Sequence, residues 1–271
     1  MPQVKLVFSD IDGTLLNSQH QLTAETKEIV NHLIVKDIPM VLASARPPHA
    51  MRSIASELQL STPLVCYNGA LIVDYDRHNK FKTLFSLPIE RLDTLLVYQI
   101  LYQDCPDVSV SVYSEDKCYV DTIDWWNQQE AKITGFQPTV LSLKAFLKDY
   151  HPVHKILCMG EPDQLDNVIK KLDEAGILDI SYYRSKSTYL ELTNHSVSKL
   201  SAMNIMAKKL HINTEEIVSI GDNDNDLSMI ISAGIGIAMG NAPDRVKAVA
   251  NKITKSNDEN GLYYALASLL R

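Results

Sequence analysis

"VKLVFSDIDGTLLN", residues 4–17, joins an apolar run to two aspartates one residue apart. The run "VKLVFS" (4–9) is too continuously apolar for a half-exposed strand, which points to a central, parallel one. Residues i and i+2 of an extended segment face the same side, so Asp10 and Asp12 share one site if strand geometry persists past Ser9. Gly13 follows where the chain must turn or leave room for a ligand. Two like charges that close repel, and each favours the other's protonation. A cation, a substrate or a proton has to compensate, unless this is an ordinary solvated Asp-Gly turn.

Outward from that stretch, apolar runs alternate with amphipathic ones. "TAETKEIVNHLIVK" (23–36) carries Ile29, Val30, Leu33 and Ile34 on one helical face, with Thr23 as N-cap. "PMVLAS" (39–44) is a second strand, a helix starts at Pro47, and "PLVCYNG" (63–69) is a third strand. This alternation is the signature of a parallel, doubly wound α/β sheet. From about Lys82 the rhythm changes to short alternating strands, such as "VSVSVYS" (108–114) and "KCYVDT" (117–122), beside two helical stretches. That pattern predicts an inserted α+β domain over 84–188, with 1–83 and 189–271 forming one α/β core. The βα rhythm resumes with "TYLELT" (188–193), "EIVSIGD" (216–222), "GIGIAMG" (234–240) and "NKIT" (251–254).

The 271 residues lie between one large domain and two ordinary ones at roughly 150 residues per domain. With 45% hydrophobic residues the chain can build a substantial core. A net charge of −7 and no dense Lys/Arg run argue against nucleic acid as a partner. No apolar stretch approaches the ~20 residues of a membrane helix, and the N-terminus reads as strand rather than signal peptide. Cys66, Cys105, Cys118 and Cys158 are scattered, which suits reduced structural thiols and a cytoplasmic location.

A second acidic stretch, "SIGDNDNDLSM" (219–229), places Asp222, Asp224 and Asp226 after another apolar run. It is not a calcium loop: the sixth position, which needs Gly, is Leu227, and the twelfth, which needs Glu, is Ala233. In open parallel sheets ligands bind outside the carboxyl ends of the strands. Asp10, Ser44, Asn68 and Asp222 each end a strand candidate, and Lys199 opens the helix after "TYLELT". Carboxylates, a hydroxyl, an amide and a lysine are the parts of a Mg²⁺-dependent phosphoryl-transfer site.

These motifs together resemble the haloacid dehalogenase (HAD) superfamily, and within it the Cof-type phosphatases with a large α/β cap. The resemblance spans essentially the whole chain, through "DIDGT", "VLASAR", "SVSKL", "GDNDND" and the further stretches "CYNGA", "MGNAPDRVK" and "NDENGLYYAL". It implies a Rossmann-like core with an inserted cap. It further implies Asp10 as nucleophile and Asp12 as general acid/base. Ser44, Lys199, Asn68, Arg46 and Asn225 would hold the phosphoryl group. Mg²⁺ would sit on Asp10, the main-chain carbonyl of Asp12 and Asp222, with Asp226 as acidic partner. The chain departs from the pattern at Ala45 and Leu200, where glycine is common; neither change removes a reacting group.

The activity so implied is hydrolysis of small phosphorylated metabolites through an aspartyl-phosphate. The same parts would serve a phosphomutase, or a sugar-phosphate sensor without activity. A neighbouring carboxylate is expected to raise the pKa of Asp12 and help it carry a proton. Arg46 is suited equally to substrate phosphate and to a structural ion pair, and Asp224 reads as a solvated loop acid. Trp125–Trp126 and Tyr182–Tyr183 suit packing better than a pocket, and His151 and His154 suit structural roles better than metal.

Overall fold

The protein, described here by a computed structural model, is defined over residues 3–76 and 80–270. The strands are β1 (Leu6–Asp10), β2 (Met40–Ala43), β3 (Leu64–Cys66), β4 (Leu71–Tyr75), β5 (Phe81–Ser86), β6 (Ser109–Ser114) and β7 (Lys117–Val120). They continue with β8 (Thr139–Val140), β9 (Lys155–Met159), β10 (Ile180–Lys186), β11 (Tyr189–Asn194), β12 (Ile217–Gly221), β13 (Ile235–Ala238) and β14 (Lys252–Ile253). The helices are α1 (Ala24–Val35), α2 (Pro48–Glu57), α3 (Arg91–Asp104), α4 (Trp125–Thr134) and α5 (Leu143–Phe146). After them come α6 (Pro162–Ala175), α7 (Lys199–Leu210), α8 (Leu227–Ser232), α9 (Asp244–Lys247) and α10 (Gly261–Ala267). None of the described helices is long and apolar enough to cross a membrane.

The first sheet runs β14-β13-β12-β1-β2-β3-β4-β5, and β14 through β3 are mutually parallel. β1 and β12 are buried along their whole length, as their unbroken apolar character requires of central parallel strands. From β1 the chain moves to β2 on one side, and much later returns to β12 on the other. That reversal makes the carboxyl end of β1 the topological switch point, where open α/β sheets hold their ligands. Thr23 caps α1 by accepting the Thr26 N–H at 3.1 Å, and Ile29, Val30 and Leu33 are buried. Ile34, predicted on the same face, is 39% exposed because the buried stripe is narrower.

The second sheet runs β10-β11-β9-β6-β7-β8 and is antiparallel except between β7 and β8. One face packs Val112, Ile156, Cys158, Leu190 and Leu192 with Val97 and Leu101 of α3 and Leu165 and Val168 of α6. "TYLELT" was expected to return the chain to the core, yet β11 pairs with β9 and β10 here. Its alternation explains the difference: Leu190 and Leu192 point into the apolar cluster, while Glu191 between them pairs with Lys155 at 3.3 Å. An alternating strand suits an antiparallel sheet with one packed face, not a central parallel strand. By compactness the chain divides into Met1–Arg46, Met51–Leu84 and Ser198–Arg271 as one unit, and Pro47–Ala50 with Phe85–Val197 as the other.

All four cysteines are buried and free. Trp125 and Trp126 pack edge to face, Tyr182 bonds Asp173, Tyr183 bonds Glu191, and His151 stacks on Phe146 with ring centroids 4.4 Å apart. His154 is fully buried: Nδ1 accepts the Glu115 N–H at 3.1 Å, which leaves Nε2–H to face Ser86 Oγ at 2.9 Å. Burial lowers its pKa from 6.5 to about 4. Between those values the unfolded chain binds the extra proton, so stability falls as pH falls, by up to about 3 kcal/mol. Urea denaturation of the protein between pH 7 and pH 4 should show this slope, and His154→Gln should flatten it. An unchanged slope in the variant would assign it to other groups.

Candidate active site

Asp10 is the last residue of β1 and is 5% exposed. Just beyond it, Gly13 turns the chain at φ +81°, where a Cβ would run into the Asp222 carboxylate. The turn therefore needs glycine twice over, for its dihedral and for its close approach to Asp222. Asp222 follows Gly221, the end of β12, and Ser44 follows Ala43, the end of β2. Parallel pairing of β12, β1 and β2 brings these ends side by side.

Lys199 enters from α7. Ser198 caps that helix by accepting the Ser201 N–H at 3.0 Å, which puts Lys199 in the first turn. Gly69, at φ +111°, lets the turn after β3 meet the Ser198 carbonyl, where a Cβ would stand only 2.7 Å from the oxygen. Lys199 Nζ then lies 2.5 Å from Asp10 Oδ1 and 2.6 Å from Asp226 Oδ1, and its side chain is fully buried. Burial alone would lower the Lys199 pKa, but the charges of Asp10 and Asp226 overcome it and hold the pKa above its usual value.

The second oxygen of Asp226 accepts the N–H groups of Asp222 and Asn223 at 2.9 and 3.0 Å. Both of its oxygens are thus engaged. Asp226, expected beside a metal, anchors Lys199 and the turn after β12. Asp222 accepts from the Thr14 hydroxyl at 2.8 Å and from Asn241 Nδ2 at 3.3 Å, and Asn241 also binds the Gly13 carbonyl at 2.9 Å. Thr14 and Asn241 were not singled out from the sequence, although Thr14 closes the "DIDGT" stretch and Asn241 lies in "MGNAPDRVK".

Burial raises the pKa of Asp10 well above the carboxylate range, and the charges of Asp226 and Asp222 add to it despite Lys199. Asp222 is pushed up to about 6, by burial first and by Asp226 second. Asp12 behaves oppositely. Arg46 grips both its oxygens, Nε to Oδ2 at 2.8 Å and a terminal nitrogen to Oδ1 at 2.6 Å. Burial pushes this carboxyl up, but the Arg46 hydrogen bonds and charge outweigh it, with His20 helping, and the net shift is downward. The expectation that a neighbouring carboxylate raises Asp12 therefore fails, because the group nearest to it is a guanidinium. Arg46, suited by sequence to either the phosphoryl group or an ion pair, directs its fork at Asp12.

The remaining candidates gather nearby. Ser44 Oγ accepts the Arg46 N–H at 3.2 Å, which keeps its own hydrogen for another acceptor. Asn68 sits in the turn after β3, where it and Tyr67 both have positive φ, 56° and 51°. Two successive non-glycine residues in the left-handed region cost on the order of 1–3 kcal/mol each, and such strain collects at functional sites. The Asn68 N–H binds the Ser44 carbonyl at 2.9 Å, and Asn68 Oδ1 accepts from Asn225 Nδ2 at 3.1 Å. Asn225 Oδ1 is buried with no hydrogen-bond partner among the described residues. Asp224 is exposed, as expected of a solvated loop acid, and pairs on the surface with Arg245.

Asp10, Asp222 and Asp226 place carboxylate oxygens within 4.8 Å of one another, with Lys199 as the cation between Asp10 and Asp226. Three acids against one base leave an excess of negative charge that suits a hard, oxygen-preferring divalent cation. The family pattern of haloacid dehalogenase-like hydrolases matches residues 7–266. The chain belongs to that family. A Haemophilus influenzae relative, provisionally named a phosphatase, is 32% identical over 259 residues, covering 95% of each chain. A Bacillus subtilis relative named 5-amino-6-(5-phospho-D-ribitylamino)uracil phosphatase is 28% identical over 97% of this chain and 94% of its own. The crystal structure of a haloacid dehalogenase-like hydrolase from Bacteroides thetaiotaomicron superposes with a TM-score of 0.88 at 29% identity, covering 98% of this chain and all of that one. By its curated relatives the chain falls among the phosphatases of the HAD family.

Substituting Lys199 should expose how tightly the acids depend on it. Removing one member of a buried ionic group strands the others, typically at about 3–5 kcal/mol. Lys199→Met should lose that much stability in urea at neutral pH. The loss should shrink as pH falls and the stranded Asp10 carboxyl takes up a proton. A variant as stable as the parent would mean the three groups are not jointly buried and charged.

Proposed function

We propose that this HAD-family enzyme is a Mg²⁺-dependent phosphatase of small phosphorylated metabolites that works through an aspartyl-phosphate on Asp10. The observation that carries the reading is the burial of Asp10 at the switch point with Lys199 on one of its oxygens and Asp222 close by. Asp10 and Asp222, with the main-chain carbonyl of Asp12, are the groups that would hold the metal. Bound there, Mg²⁺ would offset the excess of carboxylates and the charge of an incoming phosphate.

In the first half of the reaction an Asp10 oxygen attacks phosphorus in line. The bond from phosphorus to the leaving oxygen breaks, and that oxygen takes a proton from Asp12. In the second half water attacks the phosphorus, and Asp12, now ionised, accepts the water's proton while the Asp10 carboxylate departs. Because Arg46, against burial, holds the Asp12 pKa low in the free enzyme, the proton for the next leaving alcohol has to be taken up again with the incoming substrate. Ser44 and Lys199 act as donors to the phosphoryl oxygens, and Asn68 joins them from its strained turn. Low water access at Asp10, 5% exposed, strengthens each of these contacts.

The substrate class follows from the kind of molecule named for the Bacillus subtilis relative, a phosphorylated small metabolite. Two measurements test the reading. Asp10→Asn should reduce phosphate release to background while circular dichroism stays that of the folded parent, with a lower melting temperature from the weakened pairing to Lys199; retained turnover would sink the nucleophile assignment. EDTA should abolish activity and added Mg²⁺ should restore it, whereas activity indifferent to both would remove the metal from the reading.

A further inference from the structure

The site contains one contact that phosphate binding does not explain. Arg46 is anchored at three points in the core unit. Its N–H donates to Ser44 Oγ at 3.2 Å, its carbonyl accepts the Tyr67 N–H at 3.3 Å, and its guanidinium forks onto Asp12. The Arg46 side chain is 18% exposed against 41% for Asp12, so the more buried partner holds the freer one. A planar fork matched to a carboxylate fixes its plane as well as its position, which a lysine in the same place does not. The Arg46 backbone is set by the end of β2 and the turn after β3, so the carboxylate inherits an orientation from the sheet.

We propose that Arg46 is a positioning residue for the hydrolysis half of the reaction: it holds the Asp12 carboxylate, by both oxygens, as the base that receives the proton of the attacking water. In that step the water oxygen forms a bond to the phosphorus of the aspartyl-phosphate. The bond from phosphorus to the Asp10 oxygen breaks and its electron pair returns to the Asp10 carboxylate. One water proton passes to Asp12, and inorganic phosphate leaves. Oδ1 also faces His20 Nδ1 at 3.4 Å, whereas Oδ2 has a second lone pair beyond the one facing the guanidinium, so Asp12 accepts that proton on Oδ2 without leaving Arg46. The inference rests on the aspartyl-phosphate reading above, and it gives Arg46 a role other than gripping the substrate's phosphoryl group.

The test uses p-nitrophenyl phosphate, whose phenolate departs without needing a proton, so that formation of the aspartyl-phosphate is insensitive to Asp12. Slowing only the second half lowers kcat and KM by the same factor and leaves kcat/KM unchanged. Arg46→Lys should therefore lower both by about tenfold or more, with a burst of p-nitrophenol ahead of the slow phase and acid-quenched enzyme carrying trapped phosphate. Arg46→Gln serves as the second variant should the first be poorly folded by melting. A fall in kcat/KM with a raised KM would overturn the proposal in favour of phosphate binding, and unchanged kinetics would overturn it outright. Asp12→Asn is the control: the same burst there supports Asp12 as the base, and its absence removes the parent reading rather than the role of Arg46 alone. Arg46→Lys that behaves as the parent beside a bursting Asp12→Asn refutes the positioning role by itself.

Discussion

A buried ammonium shared by two buried carboxylates organises this site. Lys199 sits between Asp10 and Asp226 with no exposed side-chain surface, and it is the cation that faces both buried carboxyls. The rest of the architecture serves that meeting. Parallel strands deliver Asp10 and the turn after β12, the Ser198 cap starts α7 in the right place, and Gly69 lets that helix approach. Asp226 then doubles as the staple of the turn that presents Asp222, through two backbone N–H groups. One lysine thus couples the strand-end acid of β1 to the geometry of a loop more than two hundred residues away in sequence.

Against that cation-poor cluster the chain sets a charge-balanced one. Asp12 is two residues from Asp10, yet its carboxyl is pulled below the usual range while that of Asp10 is pushed above it. The difference lies in their partners: Asp10 shares its cation with a second acid, whereas Asp12 has both oxygens on one guanidinium. Two chemically identical side chains acquire separate electrostatic characters because one faces the interior and the other faces Arg46.

Much of this arrangement was legible from local pattern. An unbroken apolar run marked β1 as a central parallel strand, the resumed βα rhythm marked β12 as a strand of the same core, and the rule that ligands meet strand ends drew Asp10, Ser44, Asn68, Asp222 and Lys199 to one edge. What stayed hidden depended on partners far away in the chain. The sheet that β11 joins is decided by β9 and β10, though the Leu190-Glu191-Leu192 alternation already pointed to an antiparallel setting. The direction of the Arg46 fork, and with it the charge on Asp12, is a rotamer choice that spacing does not encode. Thr14 binds Asp222 across the fold and Asn241 binds it from the loop after β13, and a hydroxyl and an amide carry no pattern of their own.

The order of the core strands also bears on how the chain is made. β1 pairs on one side with β2, about thirty residues later, and on the other with β12, where Leu6 lies opposite Ile217. During synthesis the first half of the sheet can form long before β12 exists. Until then β1 is an edge strand, apolar over Leu6–Phe8 and lacking hydrogen-bond partners along one side, which is the kind of surface that recruits other chains. Closing that edge requires a contact of very long sequence separation, and such contacts form slowly. The nascent protein therefore passes through a stage in which its most buried strand is its most exposed liability, and in which Asp10 still lacks the lysine that will neutralise it.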